Sequence, residues 1–289
     1  AGFFSQRMNQ LTCNARYMDE VERVLYNNVL TGVSLSGDKY TYQNPLNTDK
    51  PDRWEWHVCP CCPPMFLKIM AAMPGYIYAY QGDNVYVNLF IGSEVRIPVG
   101  DNSVRLKQLT SYPWHGAVSI QVNPDKASTF SMKVRIPGWA QGTENPYDLY
   151  QSNLKAPVKL KVNQEDVLLR IVDGYAEINR EWKKGDHIEL ELPMQPRLIT
   201  ANKAVENLRG QVALASGPII YCFEDADNPE LQTFKLQAQT PLELSHDSNL
   251  LNGVNIIKCQ GDIPAKAIPY YAVANREESH SYKVWIPQK

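Results

Sequence analysis

This sequence has no excess of either charge, no long apolar run and few cysteines, and each shortage excludes something. Its 289 residues carry 29 Lys and Arg against 31 Asp and Glu, for a net charge of −2. That balance offers no basic surface to a polyanion, so no nucleic-acid partner is expected. No stretch reaches the ~20 apolar residues that a bilayer-spanning helix needs. No charged-then-apolar leader is visible either, so no membrane partner is expected. A mature exported chain has the same look, which leaves the compartment open. Of the six cysteines, Cys13, Cys222 and Cys259 stand far apart and form no disulfide framework by spacing. They read as buried small hydrophobes.

The other three cysteines are crowded into Cys59-Pro60-Cys61-Cys62-Pro63-Pro64. Neighbouring cysteines are awkward for a disulfide, whose Cα atoms sit farther apart than adjacent residues usually do. The flanking prolines stiffen the backbone and remove amide donors, which holds thiols in fixed directions. A metal or thiol chemistry explains the run; a purely structural zinc staple or a buried thiol cluster explains it as well. The 16 Tyr and 6 Trp serve either to stack on sugar faces or to fill β cores.

Periodicity divides the chain. Over 17–30, Val21, Val24, Leu25, Val29 and Leu30 recur at spacings of three and four, which predicts a helix ending near Gly32. Residues 3–11 read as the end of another helix, and 64–73, opened by proline and closed by Pro74-Gly75, as a third. From Gly75 onward the pattern is β. The runs 76–80 and 85–91 around Gln81-Gly82-Asp83-Asn84 predict a hairpin. Short runs bounded by turn residues follow to about 193, and further strands are expected at 211–216, 218–223, 232–237, 254–259, 268–273 and 282–286. The polar stretch 240–253 is expected to be a long loop. The fold class is therefore mostly β, with tandem β-sandwich domains at 76–199 and 200–289 behind a helical segment at 1–75. Three helices do not bury their own apolar faces, so that segment is expected to be the tail of a larger helical domain.

An ordered set of short motifs now carries a resemblance. It comprises 22–30 (Glu22-Arg23-Val24-Leu25-Tyr26-Asn27-Asn28-Val29-Leu30), Tyr42-Gln43-Asn44-Pro45-Leu46, Cys61-Cys62-Pro63-Pro64 and Gly75-Tyr76-Ile77-Tyr78. Next come Ser111-Tyr112-Pro113-Trp114, Arg135-Ile136-Pro137-Gly138-Trp139-Ala140 and Trp182-Lys183-Lys184-Gly185-Asp186. Gly210-Gln211-Val212-Ala213-Leu214 with Gly217-Pro218, then Ile268-Pro269-Tyr270-Tyr271-Ala272 with Asn275-Arg276, complete it. The set resembles the bacterial β-L-arabinofuranosidases that use a zinc-bound cysteine nucleophile, over nearly the whole chain.

The resemblance implies that residues 1–75 close an (α/α)6 barrel that holds the active site. It implies zinc as cofactor, Cys61 as both nucleophile and zinc ligand, and Cys62 as a second zinc ligand. The implied substrates are L-arabinofuranosides of plant glycans or glycoproteins, cleaved with retention. The family's upstream Glu-x-Cys motif and its acid/base glutamate have no counterpart here, so the rest of the barrel is expected as a covalent segment or a companion chain. Cys13 is no substitute for the missing cysteine; it stands where relatives usually carry glycine. Met65 and Lys68 stand where asparagine and arginine are usual. The competing expectation is a non-catalytic β-sandwich module that is structural or touches carbohydrate. The compartment is left as bacterial periplasm or cytoplasm.

Near the cysteines, Tyr42 is expected as a substrate contact. His57 is either a zinc ligand or a solvent-facing histidine, Glu55 a carboxylate ligand or a solvated loop charge, and Cys59 a spare thiol or a structural one. Trp54 and Trp56 are either a sugar platform or packing beneath the loop. Arg135 and Trp139 read as turn and core residues of the sandwich.

Overall fold

The computed structural model describes residues 1–55, 61–261 and 263–289. They form two compact units, each built from several stretches of chain. The first unit holds 1–22, 70–141 and 155–194, and the second holds 23–69, 142–154 and 195–289. Among the described residues the strands assemble into three sheets of six, five and ten strands. None of the described helices is long and apolar enough to cross a membrane.

The first unit contains the six- and five-stranded sheets. Strand Ala117–Pro124 buries Val118, Ile120 and Val122 and turns the residues between them outward. Asp186–Glu191 pairs with it antiparallel, and its Ile188 stands opposite Ile120. This period of two makes one face apolar and the other solvated, as sandwich sheets require. In the five-stranded sheet, Ser128–Arg135 buries Phe130, Met132 and Val134. Trp182, fully buried, donates its indole N–H to the Phe130 carbonyl at 3.1 Å. The expected hairpin forms as Tyr78–Gln81 with Asn84–Val87, and Asn84–Val87 also pairs in parallel with Ser128–Arg135.

Helix Gly2–Thr12 also belongs to this unit. It stops at Cys13, whose backbone is left-handed at φ 51° and whose N–H bonds Asn9 O at 2.7 Å. A helix commonly closes on glycine in that conformation, which gives the glycine expected at this position its physical reason. Cys13 is half-buried rather than buried, with its thiol 3.6 Å from Gln81 Oε1. Cys222 and Cys259 are buried as expected, and burial pushes the Cys259 thiol up to about 12.

The expected helix over 17–30 is continuous but changes type. It is α over Arg16–Val24, π over Leu25–Val29 and 3₁₀ over Leu30–Gly32, after which Val33 is extended. The carbonyl partner moves from four residues back to five in the π segment and to three in the 3₁₀ turn, and the run still ends at Gly32 as its sequence signals.

The second unit is organised on the ten-stranded sheet. Its centre is the hairpin of Gln211–Ser216 and Ile219–Glu224, turned at Gly217 with φ 54°. Three sequence expectations differ here, and the first is the strand expected at 268–273, which runs instead over Ala265–Pro269 and gives way to a 3₁₀ turn over Tyr270–Ala272. Residues 240–253 are not a loop: Leu242–Asp247 pairs antiparallel with Val254–Cys259. No residue of Leu242–Asp247 is buried, so an edge strand solvated on both faces left no alternation to read. Conversely, 232–237 alternates like a strand but begins in a turn, with Phe234 N–H bonded to Glu230 O at 2.9 Å, and pairs only at the parallel bridge of Leu236 with Gln288.

Candidate functional site

The predicted site lies in the second unit. Cys61 is exposed and immediately precedes helix Cys62–Ala72. Pro63 and Pro64 occupy its first turn, where their missing N–H groups cost nothing and their fixed φ suits the helix. Cys61 therefore stands at the positive end of the helix dipole, a place that favours negative charge. Cys62 opens the helix, but its side chain lies outside the described residues, as do Trp56, His57, Val58, Cys59 and Pro60. Among the described residues no three His, Cys, Asp or Glu side chains gather closely enough to hold a metal.

Tyr42 is 40% exposed and its ring stacks on Trp54, with centroids 5.7 Å apart and planes 6° from parallel. Trp54 donates its indole N–H to the Asp52 carboxylate. Tyr40 and Trp54 exchange backbone hydrogen bonds of 2.9 and 2.8 Å, which fixes the height of the aromatic pair. The pair lines a cleft of about 130 Å³ with Lys50, Asp52, Val273 and Tyr282. Cys61 is not among the residues lining it.

The floor and wall of the cleft are held by partly buried bonds. Tyr270 and Tyr282 both donate their hydroxyls to Pro45 O, at 2.9 and 2.8 Å. Asn47 accepts from Val284 and Trp285 N–H and donates to Trp285 O, all within 3.0 Å. Arg53 donates to Val273 O at 3.0 and 2.9 Å, to Thr31 O at 3.0 Å and to Tyr271 O at 3.3 Å. Burial pushes Arg53 down to about 10, still far above neutrality, so the guanidinium stays charged among these carbonyls. Glu224 accepts from Ala274 N–H at 2.8 Å and is paired with Arg276 at 2.5 Å. Ala274 itself is left-handed at φ 55°.

Glu55 lies on the solvated side, 82% exposed and 3.9 Å from Lys39. The reading of Glu55 as a loop charge therefore stands. The structure brings Tyr42 and Trp54 together. It adds Arg53 and Glu224, which sequence reasoning did not single out. The signal for Arg53 was slight, a lone cation between Asp52 and Trp54 in a polar turn.

Arg135 and Trp139 are core residues of the first unit, as read. Arg135 is fully buried; its guanidinium donates to Glu22 at 2.5 Å, Asp19 at 2.6 Å and Asn88 O at 2.5 Å. Tyr112 and Trp139 also donate to Glu22, at 2.8 and 3.2 Å. Arg135 and Glu22 spend their hydrogen bonds on one another and on core neighbours, which marks the knot as structural.

Comparison with known proteins places these features in a family. Three profiles of one family match in order: "Beta-L-arabinofuranosidase, GH127 catalytic domain" over 1–75, the GH127 middle domain over 84–194 and the family 127 C-terminal domain over 196–287. A non-reducing end β-L-arabinofuranosidase of Bifidobacterium longum subsp. longum is 29% identical over 95% of this chain and 46% of its own length. A solved GH127 β-arabinofuranosidase is 34% identical with a TM-score of 0.91, over 99% of this chain and 48% of that one. A GH127 β-L-arabinofuranosidase from Geobacillus stearothermophilus T6 gives 34% and 0.90, over 99% and 48%. The chain thus spans about half the length of the relatives it matches.

Proposed function

Because the chain belongs to glycoside hydrolase family 127, we propose that it works as part of a hydrolase that releases L-arabinofuranose from plant glycans or glycoproteins. The observation that carries the reading is the end-to-end match of three domains of that one family. Residues 1–75 contribute to an (α/α)6 barrel, and 76–199 and 200–289 are the β-sandwich domains behind it. Phe4, Leu11, Met65 and Leu67 are between 49% and 80% exposed on helices. Apolar side chains left out in this way suit contact with further protein, so the remaining barrel segment, covalent or as a companion chain, is the proposed partner.

Cys61 is the proposed nucleophile and Tyr42 a substrate contact. The Cys61 sulfur attacks the anomeric carbon, the glycosidic C–O bond breaks, and the leaving oxygen takes a proton from a general acid supplied by the companion segment. Water then displaces the sulfur from the same face that the aglycone left, which returns the starting anomeric configuration. Vicinal thiols are soft donors of the kind that zinc prefers. Cys61 and Cys62 would hold zinc as two of its four ligands, the others coming from the companion segment. Bound zinc would keep the thiol in its nucleophilic, deprotonated form.

The test joins this chain to an upstream half of the kind its relatives have and assays arabinose release from a β-L-arabinofuranoside. Cys61→Ser is expected to lower kcat by more than about a thousandfold, the scale of losing a nucleophile. NMR of the first-formed sugar is expected to show the β anomer. Unchanged activity in Cys61→Ser, or initial release of the α anomer, rejects the mechanism.

A further inference from the structure

We infer that the solvated face of the six-stranded sheet is a self-association surface, on which a second copy of this protein docks through two facing columns of charge. The face lies wholly in the first unit, and its use does not depend on the catalytic chemistry.

The columns follow from strand register. Strand Lys159–Val162 buries Leu160 and Val162, so Lys159 and Lys161 point outward. Its neighbour Asp186–Glu191 buries Ile188 and Leu190, so Glu189 and Glu191 point to the same side. Antiparallel pairing sets Lys161 level with Glu189 and Lys159 level with Glu191. Two ammonium groups thus form one column, and two carboxylates form the next, one strand spacing of ~4.8 Å away. These residues line a hollow of about 380 Å³ with Ala117 and Ser119, which gives the long lysine side chains of a second copy a place to enter.

Opposite charges level with each other on neighbouring strands commonly pair. Here neither lysine forms an ion pair with its facing glutamate among the described residues; Glu189 has the His187 ring at 4.0 Å. A homodimer about a two-fold axis sets each patch against itself. Such a patch needs both signs of charge, arranged so that the rotation exchanges them. An axis along the strands, between the two columns, does this. It lays Lys161 over the second copy's Glu189 and Lys159 over the second copy's Glu191, and each contact occurs twice. The flanking strands agree with it. Ser119, level with Glu189, meets the second copy's Asp166, which is level with Lys161. An axis across the strands sets lysine on lysine and is unfavourable. A polyanion or a basic peptide meets one column of its own sign, so a second copy is the partner that satisfies both. Ion pairs left in water contribute little, but shut between two faces they fix register and orientation.

The experiment is sedimentation velocity on the intact protein over a concentration series, with far-ultraviolet circular dichroism as the check on folding. The unaltered protein is expected to form dimers, and salt at about 1 M to weaken them. Lys159→Glu with Lys161→Glu makes the face all acidic; Glu189→Lys with Glu191→Lys makes it all basic. Each pair of changes is expected to raise the dimer dissociation constant by about a hundredfold or more. An equimolar mixture of the two variants is expected to recover dimers, because an acidic face then meets a basic one. All four substitutions in one chain exchange the columns and are expected to restore self-association. A protein that stays monomeric throughout overturns the inference. So does a dimer indifferent to both charge reversals, which places the interface elsewhere. Loss of dimers with no recovery in the mixture or in the fourfold variant overturns it as well, since the loss is then not one of charge pairing.

Discussion

Arg135 is the residue on which the first unit's polar interior turns. Burial alone pushes its guanidinium down, but the carboxylates of Glu22 and Asp19 outweigh that and hold it above its ordinary value. The three charges are tolerable inside the protein only because each is hydrogen-bonded. Replacing Arg135 by Met leaves Glu22, 2% exposed, without its cation. Removing one partner of such a pair costs about 3–5 kcal/mol. The expected outcome is a large drop in the urea midpoint of Arg135→Met, partly recovered in Arg135→Met with Glu22→Gln, where no carboxylate is stranded at that position. Equal destabilisation in the single and double variants would mean that the loss comes from packing rather than charge. The sequence marked Arg135 and Trp139 as core, but not their partner. Glu22 sits in an amphipathic helix 113 residues away from Arg135, and no local pattern reports so distant a contact.

Among the elements, helix ends and hairpins were the most legible, because turn residues and apolar spacing announce them directly. The hairpin Tyr78–Gln81 with Asn84–Val87 and the stop at Gly32 follow that rule. The strand Leu242–Asp247 and the turns at 232–237 break it for opposite reasons. The first strand lacks a buried face, and the second segment buries Phe234 and Leu236 at strand-like spacing but pairs only at the single bridge of Leu236 with Gln288. Helix Gly2–Thr12 offers a direct test of how an end is specified. Its closing residue, Cys13, holds φ 51°, where a side chain with a Cβ costs about 1–2 kcal/mol relative to glycine. Cys13→Gly removes that cost and gives up a half-buried thiol that packs near Tyr86 and Tyr175. The net expectation is a gain of about 0.5–1 kcal/mol, read as a higher denaturation midpoint. A lower midpoint would show that thiol packing outweighs the backbone term. Cys13→Ala separates the two, since it loses the thiol and keeps the strain.

For the whole molecule, the crowded cysteines and the ordered motifs point to the family by themselves. The cleft under Tyr42 and Trp54 was only half legible, because Val273, Ala274 and Tyr282 join it through the fold and not through sequence. The same long-range assembly sets the response to acid. Asp227 shows the sign clearly: burial pushes its carboxyl up, but hydrogen bonds and charge from Arg276 and Lys266 outweigh this and hold it below its ordinary 3.8. Hydrogen bonding to Lys133, opposed by burial, likewise holds Glu177 below 4.5. Burial opposes but does not overcome the backbone N–H groups that hold Asp225 down. A carboxylate depressed in the folded state contributes stability that is fully present above its unfolded value and is lost as pH falls through the folded one. Asp19 runs the other way, because burial raises it more than Arg135 lowers it; its contribution is lost as pH rises instead. The depressed group is the more numerous, so the melting temperature is expected to be flat from neutrality down to about pH 5 and to fall progressively below about pH 4. Asp227→Asn should lower the plateau, because Arg276 and Lys266 lose a charge partner, and should shallow the acid limb by the share that Asp227 contributes. Parallel acid limbs for the two proteins would show that Asp227 titrates alike in the folded and unfolded chain, and that its bonds to Arg276 and Lys266 do not favour its ionised form in solution.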